Sequence, residues 1–138
     1  MGNDDSAPNA LEVALIERIN NNIDDERYIN RLVISDSYQL ITILKRVFQY
    51  YKKNGINWQT ANYNWIDTSN VDAMLNLFQN VFGNSRSEFN GNISKWNTGK
   101  VRNLIGAFEG CRSLKCDISN WDVSNVKLWD SGTYADTN

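Results

Sequence analysis

The chain has 138 residues, 41% apolar and 12% aromatic, with a formal net charge of −2 and no histidine. That length suits one domain able to bury roughly two-thirds of its unfolded surface without metal or disulfide staples. The weak net charge excludes strong nonspecific phosphate binding over the whole surface. The lack of His removes the commonest general base and zinc ligand. Charge is uneven: residues 1–36 carry eight acidic and three basic groups, and residues 37–138 carry eight acidic and eleven basic groups, which leaves room for a local basic patch in the second part.

No run of about 18 apolar residues exists to span a membrane. The start, Met1 to Ser6, lacks the basic and apolar regions of a signal peptide. The expected location is cytoplasmic for the chain as written, or the cell surface where a signal or lipoprotein leader has been removed.

In chain order, residues 1–7 are expected to be a disordered tail. Pro8 opens a helix with Leu11, Ala14, Leu15 and Ile19 on one stripe, and Asn20 to Asn22 end it. Tyr28 to Ile34 reads as a short strand. Asp36 or Ser37 then caps the clearest helix, with Leu40, Leu44, Val47, Phe48 and Tyr51 inward, and Gly55 stops it. Residues 8–55 are thus expected to form a helical N-terminal cap.

A repeat fills the remainder, residues 56–138. Ile93 and Ile118 are 25 residues apart, as are Trp96 and Trp121, and a first copy from Tyr63 precedes the second by 30, with about five residues inserted around Phe82 to Arg86. Alternation at Phe89, Gly91, Ile93 and at Leu114, Cys116, Ile118 predicts short strands with one buried face. Val71, Leu75, Phe78 and Val101, Ile105, Phe108 recur at helical spacing, with Ser69 and Thr98 where caps belong and Asp72 completing a capping box with Ser69. The third copy is atypical, because Asp130 and Thr133 replace the apolar stripe, while Trp129 and Tyr134 can cover the end of the core. The expected fold class is α/β, a short solenoid of about three strand–helix repeats behind the helical cap, its copies stacking to share one core.

The strings Trp121-Asp-Val-Ser-Asn-Val126, Ile66-Asp-Thr-Ser-Asn-Val71, Phe108-Glu-Gly-Cys111-Arg-Ser-Leu114 and Phe89-Asn-Gly-Asn-Ile-Ser-Lys-Trp96 resemble the BspA-type leucine-rich repeats of bacterial surface proteins, mycoplasma lipoproteins and some phage-borne proteins. The resemblance covers roughly residues 56–127. It implies a leucine-rich-repeat-like solenoid that binds other macromolecules, and it carries no catalytic residue set.

Residue chemistry agrees with a non-enzymatic reading. Cys111 and Cys116 have no evident activating partner, and they can bridge only if a turn brings their Cα atoms within about 7 Å; free buried thiols are expected. Two Cys alone do not make a zinc site, and no glycine-rich phosphate loop follows a strand. Asp67 with Asp72, and Asp117 with Asp122, are better explained by caps and turns than by acid–base chemistry. No metal or cofactor is expected.

Three surfaces are candidates for binding. Trp65 sits one residue ahead of the Trp96 and Trp121 position, opposite the solvent-facing Lys95 and Asn120, and is expected to be an exposed anchor, whereas Trp96 and Trp121 should stack. Thr60, Asn62, Asn90, Asn92, Lys115 and Asp117 should form a polar ladder on the outer strand face. Lys45, Arg46, Lys52 and Lys53 form a possible basic patch on the cap helix, and Lys95, Lys100, Arg102, Arg112, Lys115 and Lys127 add charge to the repeats. The expected function is a non-catalytic module that binds a protein through the sheet face, with RNA or single-stranded DNA as a secondary partner. The alternatives are a phage-encoded inhibitor that occludes a host defence nuclease or its guide RNA, and a fragment of a bacterial surface adhesion lipoprotein.

Overall fold

A computed structural model of the chain describes Ile29 and residues 31–129. The expected tail, the helix from Pro8, and Asp130, Thr133 and Tyr134 lie outside the described residues. Strand β1 (Leu32–Val33) is followed by helix α1 (Ser37–Lys53), strand β2 (Ile66–Asp67), helix α2 (Leu77–Phe82) and a 3-10 helix (Gly83–Glu88).

Helix α1 forms where the sequence places it. The Asp36 carboxylate accepts the Gln39 N–H at 2.8 Å, satisfying a first-turn donor. Leu40, Ile43, Leu44, Val47, Phe48 and Tyr51 are buried along one face. At the far end Gly55 adopts φ 67°. There the Ile56 N–H reaches the Tyr51 carbonyl at 2.8 Å and the Gly55 N–H the Lys52 carbonyl at 3.5 Å, the paired bonds that close a helix around a left-handed glycine. Lys52 Nζ lies 4.8 Å from the Phe48 ring centroid.

Strands β1 and β2 pair in parallel, Leu32 opposite Ile66 and Val33 opposite Asp67. The repeat copies then lie side by side in the same direction, with parallel bridges joining Asn62 to Asn92, Ala73 to Asn103 and Asn103 to Leu128. Segment 34–37 stands where a preceding copy would be: Asn70 Nδ2 donates to the Ile34 carbonyl (3.0 Å) and the Ala73 N–H to Ser37 Oγ (3.0 Å).

The expected leucine-rich-repeat-like solenoid of about three strand–helix repeats is not formed. Among the described residues the sheet has two strands of two residues each, and the copies touch through isolated bridges and turns. The helical stripes fail for a local reason. Asn76 takes the left-handed conformation at φ 50°, and Gly106, 30 residues later at the equivalent position, does the same at φ 66°. A helix cannot continue through such a residue. Helix α2 therefore starts only at Leu77, and Val101 to Phe108 forms no helix, its residues from Ile105 onward being a turn. The register shifts accordingly: Met74 and Leu104 are buried, while Leu75 is 45% exposed. Ser69 and Thr98 do not cap helices. The Ser69 N–H bonds the Asp67 carboxylate (2.9 Å), and the Thr98 hydroxyl donates to the Asp122 carbonyl in the next copy (3.0 Å), as Thr68 does to the Asn97 carbonyl (2.9 Å).

The inserted segment becomes the end of α2 and the 3-10 helix. Arg86 fixes it, Nε donating to the Glu109 carbonyl and Nη1 to the Gly83 carbonyl, each at 2.8 Å. Within the core, aromatic rings run from α1 to the third copy. Phe48 meets Phe82 (4.9 Å between centroids), Phe78 meets Phe89 (4.9 Å) and Phe108 (5.8 Å), and Phe108 meets Trp121 (5.6 Å).

The shifted register is open to a direct check by urea denaturation. Met74→Ala should cost about 2–5 kcal/mol, and Leu75→Ala no more than about 1 kcal/mol. The reverse order would restore the continuous helical stripe.

Candidate functional site

The polar ladder is built by a turn repeated at one position of each copy. Asn62, Asn92 and Asp117 each accept, through a side-chain oxygen, the N–H two residues on, from Asn64 (2.7 Å), Ser94 (3.1 Å) and Ser119 (2.9 Å). Asn and Asp favour this turn because their short side chains mimic a backbone carbonyl. Between the first two copies the backbone closes the gap, the Tyr63 N–H donating to the Asn92 carbonyl and the Asn92 N–H to the Ala61 carbonyl, both at 2.9 Å.

Between the second and third copies, side chains take that place. The Lys115 N–H bonds Asn90 Oδ1 at 2.7 Å, and the Ile93 N–H points at Cys116 Sγ at 3.4 Å. Cys116 Sγ in turn approaches Asn92 Oδ1 at 3.7 Å. An open groove of about 330 Å³ lies here, lined by Asn90, Gly91, Asn92, Ser94, Lys115, Cys116 and Asp117. A Cβ at Gly91 would come 2.5 Å from Tyr63 Cε2 and 2.6 Å from Phe89 Cε1. The groove floor therefore rests directly on the aromatic core.

Of the six expected ladder residues, Asn90, Asn92, Lys115 and Asp117 meet at this groove. Asn62 is bridged to Asn92 beside it. Thr60 is exposed away from the lining, its N–H held by Asn57 Oδ1 at 3.1 Å. Trp65 is not an exposed anchor. It is 1% exposed, its indole N–H donates to the Asn62 carbonyl (2.9 Å), and its own carbonyl accepts the Leu32 N–H (2.9 Å). The first copy has β1 bonded to its backbone at this position, and the equivalent residues Lys95 and Asn120 of the later copies are exposed. Trp96 and Trp121 do stack, at 6.3 Å and 14°, and each indole reaches back to the preceding copy, Trp96 to the Tyr63 carbonyl (2.9 Å) and Trp121 to the Ile93 carbonyl (3.0 Å).

On α1, Lys45, Lys52 and Lys53 are exposed and Arg46 is half-buried; none of them lines a described groove. The sequence reading did not assemble Lys100, Arg102, Asn125 and Lys127, which line a second groove of about 320 Å³. Superposing the copies at the 25-residue period puts Lys127 on Arg102 and Asn125 on Lys100, a signal available in the sequence.

Both cysteines are free. Burial raises the Cys116 thiol and pushes the buried Cys111 thiol up to about 11, against the opposing pull of Arg86. Hydrogen bonds from Ser119 hold Asp117 below the usual carboxylate range, and those from Ser124 do the same for Asp122. The Asp67 carboxylate accepts the Ser69 N–H (2.9 Å) and that of Asp72 the Ser37 hydroxyl (3.0 Å). Among the described residues no group of three His, Cys, Asp or Glu is placed to hold a metal ion.

Like copies bridged in parallel, each adding the same turn to one polar face, define a repeat-built protein. Residues 41–134 match the family described as Mycoplasma protein of unknown function, DUF285; the match covers more than half of the chain, and the protein belongs to that family. No curated protein and no solved structure matches the chain. No helix among the described residues is long and apolar enough to cross a membrane.

Two measurements follow from this site. Gly91→Ala should destabilise the fold by about 1–3 kcal/mol in urea denaturation, because the new methyl meets two rings; an unchanged midpoint would show that the floor does not rest on the core. Raising the Cys111 pKa in the folded state means that its contribution to stability is complete below about pH 9 and lost as pH rises towards about 11. The wild-type urea midpoint should therefore fall more steeply between those values than that of Cys111→Ala; parallel slopes would contradict the burial of a neutral thiol.

Proposed function

We propose that the chain is a non-catalytic module that binds a protein partner through this polar face. The observation that carries the reading is the convergence of Asn90, Asn92, Lys115 and Asp117, from two successive copies, on one open groove. Two carboxamides, an ammonium and a carboxylate offer donors and acceptors together, the complement of an exposed peptide segment. The floor is fixed by Gly91 on the core, so little ordering cost remains at binding. Cys116 in the groove has a raised pKa and is a poor nucleophile near neutral pH, which supports binding over turnover.

The finer kinship with BspA-type repeats rests on the repeat strings. Together with a family described from Mycoplasma, it favours the bacterial-surface setting over the phage-borne inhibitor. The test is capture by the immobilised full chain from lysates of candidate host cells and of bacteria. A Lys115→Glu variant, which leaves the Asn92 turn intact, should lose at least about tenfold in capture, a difference of about 1.4 kcal/mol, with an unchanged urea midpoint. Equal capture by the folded variant rejects this face as the contact surface.

A further inference from the structure

The second groove differs from the first in every lining residue and in charge. Lys100, Arg102 and Lys127 are its cations, Asn125 completes the lining, and no carboxylate takes part. The backbone fixes these positions. The N–H groups of Lys127 (2.8 Å) and Leu128 (3.0 Å) both donate to the Arg102 carbonyl, and the Leu104 N–H donates to the Leu128 carbonyl (3.0 Å). The two segments are thus neighbours at about the 4.8 Å spacing of paired strands. Lys100 and Asn125 lie in the turns that precede Arg102 and Lys127, and the four side chains line one groove. Asn125 is anchored by its Nδ2 on the Gly99 carbonyl at 2.6 Å.

Three cations therefore occupy four adjoining places. Like charges opposite one another on paired chains repel, so the arrangement disfavours the empty fold and favours an anion. In the first copy the counterpart of Arg102 is Asp72, but its carboxylate is turned to the Ser37 hydroxyl at the start of α1, at 3.0 Å. A guanidinium fork flanked by two ammonium groups matches the tetrahedral oxygens of a phosphoryl group. We infer that the groove of Lys100, Arg102, Asn125 and Lys127 binds a phosphate ester.

Two sources carry that chemistry: a small phosphomonoester, or the backbone of a single-stranded nucleic acid. Trp129, two residues beyond Lys127 and 44% exposed, is outside the lining and is the neighbouring ring whose replacement tests stacking by a base of the latter.

The experiment is a titration of the 15N-labelled full chain at low ionic strength, first with inorganic phosphate and then, separately, with adenosine monophosphate and with an oligothymidylate. Phosphate should give saturable shifts at Lys100, Arg102, Asn125 and Lys127 with a dissociation constant on the order of millimolar, while chloride at equal ionic strength gives none. An Arg102→Glu, Lys127→Glu double variant should lose at least about tenfold in affinity with its urea midpoint unchanged or raised, and Arg102→Lys should keep most of the binding. Shifts that fail to saturate, or equal affinity in the double-Glu variant, overturn the inference. If that variant does not fold, Lys100→Gln with Lys127→Gln takes its place, with the same loss expected. Oligothymidylate binding at least tenfold more tightly than phosphate, with the gain removed by Trp129→Ala, assigns the ester to nucleic acid. No such gain, with the monophosphate bound as well as or better than phosphate, assigns it to a small phosphomonoester.

Discussion

Contact between aromatic rings is the constraint on which the structure depends. Phe78 lies at its centre, within 6.5 Å of the ring centres of Phe82, Phe89, Trp96 and Phe108. Through Phe82 the line reaches Phe48 and Trp58, and through Trp96 and Phe108 it reaches Trp121. Rings bury a large area each and gain further from tilted and stacked geometry. Among the described residues, with two short strands and one long helix, little of the fold is held by regular hydrogen-bond ladders. The rings tie each copy to its neighbours, and the indole N–H groups of Trp96 and Trp121 set the spacing by reaching back one copy.

Polar side chains do the work that strands do elsewhere. Asn or Asp closes a turn at two equivalent points of each copy: Asn62, Asn92 and Asp117 at one, Asp67, Asn97 and Asp122 at the other. A side chain that captures a nearby N–H withdraws it from helix or sheet. The same residues that prevent long strands and helices thus create the polar face. The abundance of Asn in the sequence has a structural cause before it has a functional one.

Much of this was legible in the sequence, and the failures have identifiable causes. Helix α1 was readable because its cap, stripe and terminal glycine all agree, and the 25- and 30-residue periods correctly placed Trp96 on Trp121 and Asn62 beside Asn92. The strand–helix repeat was misread because apolar spacing at Val71, Leu75 and Phe78 suits a helix, while one left-handed residue, Asn76, is enough to break it. Glycine at the equivalent position 106 was the available warning. Trp65 was misplaced by treating the first copy like its successors, although β1 pairs with the first copy at this position. The second groove was missed because its cations are scattered along the chain and become neighbours only when the copies are superposed.

Both grooves take their lining from the second and third copies. The first and second are drawn together by backbone bonds on both sides of the bridge at Asn62 and by the Met74 N–H on the Asn103 carbonyl (2.8 Å), and the 30-residue separation between them accommodates a 3-10 helix clamped by Arg86. The third copy joins with fewer such bonds near Asn90 and Asn92, where a carboxamide and a thiol substitute for carbonyls. Side chains there keep atoms that are not spent on the fold. A repeat array gains stability by closing the gap between copies, and in this chain backbone bonds close the first junction on both sides, whereas the second, among the described residues, keeps them only between Arg102–Leu104 and Lys127–Leu128.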